Sequence, residues 1–217
     1  MTRPAAGYTL ALEASTYAGS VAVIRGSEVV FSSDVAMRGR DQERLMPAVA
    51  ECVEKLPEGM KAIQRVVCGA GPGSFTSLRI AASIAKGICH ARGLPLFAVS
   101  SLALVVASAG KEPGRYLVAL DAMRGESFAA LIDVAENGTI PVAVPMRIVS
   151  RTALAEEAAR AGAEVLDSAP HVAGVARMLD SIVSSGPVDL AAWEPDYGRA
   201  AEAQVKWEAA HGRPLPK

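Results

Sequence analysis

The sequence predicts a mixed α/β protein, and three observations carry that expectation. The chain opens with three short β-prone runs separated by tight turns. It then alternates helical and strand patterns, and after a polar break near residue 111 the order of strands followed by helices begins again. The two halves share pattern but no residue-level repeat. With 51% hydrophobic and 21% charged residues, there is ample apolar surface for a packed core. A length of 217 residues suits one compact unit or two small lobes. The turn-rich run Lys111-Glu-Pro-Gly-Arg115 is the natural boundary, dividing the chain into 1–110 and 111–217.

Residues 8–14 (YTLALEA), 19–25 (GSVAVIR) and 28–35 (EVVFSSDV) read as strands, the last two joined by a Gly-Ser turn. Residues 41–56 place Leu45, Met46, Val49, Val53 and Leu56 on one helical stripe, with Pro47 either kinking the first turns or marking their start. A buried-strand pattern at 65–69 leads through a glycine-rich stretch into a helix over 76–91. Residues 94–99 form another short strand, and Ser100 stands where it can cap a helix running to 109. In the second half, 116–121, 127–134 and 142–149 read as strands, and 152–161 and 171–184 as helices.

The formal net charge of −1 gives no global positive field, so unaided binding to a phosphate backbone is a weak expectation. Cys52, Cys68 and Cys89 are an odd set with no CxxC, each in apolar sequence, which predicts buried thiols in a reducing compartment. Residues 1–7 lack the apolar run of a signal peptide, and no stretch of membrane-spanning length escapes interruption by charge, Gly or Pro; a cytoplasmic protein is expected. The three histidines, His90, His171 and His211, form no HxxxH or HExxH pair, so a histidine metal site is not predicted. No GxSxG elbow is present, and no serine has a local context that would activate it.

The run Gly69-Ala-Gly71-Pro-Gly73-Ser74-Phe-Thr76 joins a strand to a helix, where free amides and the helix dipole can hold an anion. It lacks the Lys-Ser/Thr of a P-loop and the acidic ribose ligand of a dinucleotide fold. Two readings stand: a phosphate site using Gly71, Gly73 and Ser74, or a tight turn that lets strand and helix pack closely. Glu13 ends the first strand beside Ala14, Ser15 and Thr16, and Asp121 ends the strand that opens the second half. Two carboxylates at matching strand ends would face one cleft; solvated strand ends are the plainer alternative. The helix after the glycines carries Thr76, Ile80, Ile84 and Ile88 together with Ala81, Ser83, Ala85 and Gly87. A helix with apolar and small residues on more than one face can pack on its own sheet and admit a second helix, or be buried within one chain.

Several segments taken together resemble the TsaB family, grouped with glycoprotease-like proteins: Leu10-Ala-Leu-Glu13-Ala-Ser15, Glu43-Arg-Leu-Met-Pro47, Gly71-Pro-Gly-Ser-Phe-Thr-Ser-Leu-Arg-Ile80, Leu94-Pro95 with Val99-Ser-Ser-Leu102, Leu120-Asp-Ala-Met-Arg-Gly-Glu126, Glu194-Pro-Asp-Tyr197 and Lys206-Trp207. The resemblance implies an actin-like (ribonuclease H-like) fold of two lobes, each a mixed sheet flanked by helices. It implies a non-catalytic partner subunit in the machinery that makes threonylcarbamoyladenosine in tRNA. The expected partners are a TsaD-type catalytic subunit and a TsaE-type ATPase, with tRNA reached through the complex and a homodimer when the chain is alone. On this reading the interface draws on Leu45, Met46, Val49 and Val53 of the first helix and on Thr76, Ile80, Ile84 and Ile88 of the second. A nucleotide cofactor is not expected; weak binding would use Glu13, Gly71, Gly73, Ser74 and Asp121. Glu13 stands where the family usually shows Asp, Ser77 where Gly is common, and Asp41 where a His often stands; Gly198 replaces an apolar residue. An actin-like ATPase or small-molecule kinase acting alone is the competing reading, a peptidase the third. Arg199 and Arg213 are candidate tail contacts to tRNA.

Overall fold

The computed structural model describes residues 7–37, 43–199, 207 and 210–213. Among these residues, two sheets and five α-helices stack in alternating layers. The first sheet is five-stranded in the order β3-β2-β1-β4-β5, formed by β1 (Tyr8–Glu13), β2 (Ala18–Arg25), β3 (Glu28–Ala36), β4 (Ile63–Gly69) and β5 (Leu96–Val99). β1, β2 and β3 are antiparallel, whereas β4 and β5 run parallel to β1. The second sheet has the order β8-β7-β6-β9: β6 (Gly114–Asp121), β7 (Glu126–Val134), β8 (Arg147–Ser150) and β9 (Glu164–Leu166).

Strand alternation explains the layers. On β1, Leu10 and Leu12 face one way, into a core shared with helices α1 (Leu45–Glu54) and α2 (Phe75–Arg92), while Ala11 faces the other. That second face meets α3 (Ser101–Ser108) and α5 (Val175–Ser184), which are covered in turn by Val118, Leu120, Phe128 and Ala130 of the second sheet. The far face of the second sheet, with Leu117, Ala119 and Ala129, packs on α4 (Leu154–Ala161). Strands covered on both faces read as continuous apolar runs, which is how β1, β2 and β6 appear in the sequence. α3 is hydrophobic all round because it lies between two sheets, and Leu102, Leu104, Val105 and Val106 are all fully buried.

Several boundaries differ from expectation for physical reasons. α1 starts at Leu45, so Pro47 falls in its first turn, where a missing N–H costs no helical bond. The Glu43 carboxylate accepts from the amides of Leu45 and Met46, closing that end; Asp41 lies outside the described residues. Ser100 precedes α3, but its side chain makes no capping bond. Of the run 142–149 only residues 147–149 pair as a strand, within Arg147–Ser150, and the sheet is completed instead by three residues, Glu164–Leu166, parallel to β6. Residues 187–199, assigned by sequence to the second half, return to the first sheet. The Val188 amide donates to the Leu96 carbonyl (2.8 Å), the Asp196 amide to the Ala70 carbonyl (2.8 Å), and Trp193 packs on the α1–α2 core.

The three cysteines are buried and unpaired. Burial pushes the Cys89 thiol up to about 11 and raises those of Cys52 and Cys68, so none is a ready nucleophile. No helix among the described residues is long and apolar enough to cross a membrane.

Candidate functional site

A cleft of about 1060 Å³ opens between the two sheets. Ser15, Gly73, Ser74 and Phe75 line one wall, Asp121, Met123, Phe128 and Ile148 the other, and Tyr197 and Arg199 close one end. Of the sequence-predicted cofactor residues, Gly73, Ser74 and Asp121 line it, whereas Glu13 and Gly71 do not.

Glu13 is fully buried. One carboxylate oxygen accepts from the Ser15 amide (2.5 Å) and the other from the Ser101 hydroxyl (2.8 Å). Burial away from water raises its pKa above the ordinary 4.5, and the hydrogen bonds from Ser15 and Ser101 oppose that rise. A folded state that holds the proton more tightly than the unfolded chain is favoured most below the ordinary carboxylate value and loses that advantage as pH rises to the folded value. The unfolding free energy of the natural chain relative to Glu13→Gln is therefore expected to fall as pH rises from 4.5. Urea unfolding of both proteins across a pH series measures this, and a constant difference would refute it.

The glycine loop is occupied by the chain itself. The amides of Ala70, Gly71 and Ser74 donate to the Val99 carbonyl (2.7 Å), the Ser101 hydroxyl (3.1 Å) and the Ser15 carbonyl (2.7 Å). A Cβ on Gly71 would collide with the Asp196 carbonyl oxygen, and one on Gly73 with the Ser15 backbone. The glycines thus admit neighbouring backbone where a phosphate cradle would admit ligand. Asp121 accepts from the Met123 amide (2.9 Å) and pairs with Arg151 (2.9 Å). An enclosed Glu13, a filled loop and a paired Asp121 do not fit a metal-bound nucleotide. Among the described residues no group of three or more His, Cys, Asp or Glu side chains is arranged to hold a metal ion.

Sequence reasoning missed the aromatic character of the cleft. Two of the four tyrosines, Tyr17 and Tyr197, and two of the four phenylalanines, Phe75 and Phe128, line it. Their concentration in a chain so poor in aromatics, three of them in or beside loops, was the available signal. Arg79 lies over the Phe75 ring (4.5 Å) and Phe75 packs at a tilt against Tyr197 (centroids 4.5 Å apart, ring planes at 48°), tying the start of α2 to the segment around Tyr197. Met123 and Arg124 adopt left-handed backbone conformations at the β6–β7 turn. Arg199 is engaged by Glu126, and Arg213 lies over Trp207.

The predicted interface residues divide by burial. Leu45, Val49 and Val53 are sealed in the core between α1 and the sheet, behind any surface a partner could touch. Met46 and Thr76 are exposed, and Ile80, Ile84 and Ile88 are half-buried along the outer side of α2. Glu43, Phe75, Thr76, Arg79, Ile80, Ser83 and Ile84 line a shallow groove of about 530 Å³ there. Gly87, in the same helix, has open space above it.

Residues 37–174, more than half of the chain, match the family described as "TsaD: tRNA N6-adenosine threonylcarbamoyltransferase". The chain belongs to this family. Within it, the chain stands with the TsaB proteins. The Bacillus subtilis tRNA threonylcarbamoyladenosine biosynthesis protein TsaB is 26% identical over 91% of this chain and 96% of its own length. The Escherichia coli protein of the same name is 34% identical over 59% of this chain, but the match spans only 56% of that relative. Two Pseudomonas aeruginosa structures share the fold. One, described as YeaZ, has a TM-score of 0.72 at 24% identity, covering 88% of this chain and 99% of that one. The other, described as an uncharacterized protein with similarity to peptidase YeaZ, has a TM-score of 0.74 at 22% identity, covering 89% and 100%. The two-sheet, helix-flanked architecture is therefore shared with these two structures.

Proposed function

We propose that this chain is the non-catalytic partner subunit of the machinery that forms threonylcarbamoyladenosine in tRNA, pairing through the outer face of α2 with a TsaD-type catalytic subunit. The observation that carries this reading is the stripe Thr76, Ile80, Ile84 and Ile88, whose isoleucines are half-buried against the core and reach the surface beside exposed Met46 and Phe75. Spacing of four residues keeps the stripe on one side of the helix, and the gap above Gly87 lets a second helix approach closely. A catalytic role for this chain alone is disfavoured by the enclosure of Glu13 and the pairing of Asp121. A TsaE-type ATPase would join the pair, tRNA would reach this chain through the complex, and the same stripe would support a homodimer when the partner is absent.

Ile84→Asp places a charge in the middle of the stripe. The variant is expected to fold, as judged by circular dichroism and thermal melting, and to bind the TsaD-type protein of the same organism about 100-fold more weakly in calorimetry, since an unpaired buried charge costs several kcal/mol. Absence of binding by the natural chain would overturn the reading.

A further inference from the structure

We infer that Glu13 is a positioning residue, an internal strut that fixes the loop entering α2, instead of an acid presented to the cleft. It joins three parts of the chain. Its carboxylate receives the Ser15 amide from the β1–β2 hairpin and the Ser101 hydroxyl from the start of α3. Each of those residues then holds the glycine loop: Ser101 accepts from the Gly71 amide and donates its own amide to the Gly71 carbonyl (2.9 Å), while the Ser15 carbonyl receives the Ser74 amide. Ser74 immediately precedes α2. Removing the carboxylate therefore releases both anchors of the segment that sets where α2 begins.

Reach decides why the residue is Glu. Its oxygen lies against Gly69 on the neighbouring strand, where any side chain would collide with it, and extends from there to Ser101. A shorter Asp holding the Ser15 amide would fall short of Ser101 by about one methylene's length. Gln keeps the reach and one acceptor oxygen. Among the described residues, the side chains contacting the carboxylate bring no cation, so the strut works through hydrogen bonds and not through an ion pair.

The test is amide hydrogen exchange on the natural chain, Glu13→Asp, Ser101→Ala, their double variant and Glu13→Gln. Glu13→Asp and Ser101→Ala are each expected to speed exchange at Gly71 and Ser74 about tenfold, the effect of losing roughly one charge-assisted bond. Ser101→Ala removes the Glu13 contact and also the acceptor of the Gly71 amide, so the double variant is expected to add little to Ser101→Ala, and Glu13→Gln is expected to recover most of the protection. The strut is overturned if Glu13→Asp lowers the melting temperature yet leaves exchange in this loop unchanged, or if the two substitutions are additive. One consequence rests on the partner reading above: Glu13→Asp should weaken binding of the TsaD-type protein although it touches none of the stripe. A natural chain that does not bind would defeat the partner reading, and the exchange rates would still decide the strut.

Discussion

Gly71→Ala is expected to destabilise the chain by about 4 kcal/mol, from the combined cost of a left-handed backbone for a residue with a Cβ and of an overpacked contact. Gly71 has φ +86°, and the atom its Cβ would strike is the Asp196 carbonyl oxygen, which cannot swing away as a side chain would. That carbonyl belongs to a segment tied to Ala70 by a backbone hydrogen bond, so relief requires detaching the segment from the loop. For a chain of this size the loss corresponds to a fall of about 10 °C in melting temperature. Gly87→Ala makes the opposite case. Gly87 is helical, with nothing near its missing Cβ, and the same substitution there should stabilise the isolated chain by about 0.5–1 kcal/mol. Thermal melts of the two variants side by side measure both; a Gly71→Ala protein as stable as the natural one would mean that the loop and the C-terminal segment are not in contact.

Leu104→Ala is the second large effect, at about 3 kcal/mol. Leu104 is fully buried in α3 and belongs to the core that the two sheets share. Packed layers on both sides leave little room for collapse into the space vacated, so the loss is expected to include a cavity cost beside the lost transfer free energy. Val183→Ala, near the end of α5 and 38% exposed, should change stability by less than about 0.5 kcal/mol. Equal losses at the two positions in denaturant unfolding would contradict the layered core.

Period and punctuation made part of the fold legible in the sequence. The first three strands and the helix after the glycines lie within one or two residues of their expected bounds, because an alternating or continuous apolar run ends at a turn residue in each case. β9 was missed because three residues are too few to show a period, and its place beside β6 is set by α4 folding back over the sheet. Distance was the other thing hidden. Glu13 and Asp121 occupy similar positions in sequence, yet one is enclosed by Ser15 and Ser101 and the other lies at the cleft with Arg151, a difference decided by residues 88 and 30 positions away. Likewise, helical spacing put Leu45, Val49 and Val53 on one stripe without saying that the stripe faces the sheet.

The return of residues 187–199 to β5 and the glycine loop gives the molecule a long-delayed closure. A ribosome releases β1 through β5 well before it makes Val188, Trp193 and Asp196, so the growing chain carries an open sheet edge and an unlatched α2 entry until those residues have been synthesised. A fragment cut at the polar run near residue 111 would lack its own latch, and the α2 entry becomes a report on whether residues 188–196 have been made and have docked.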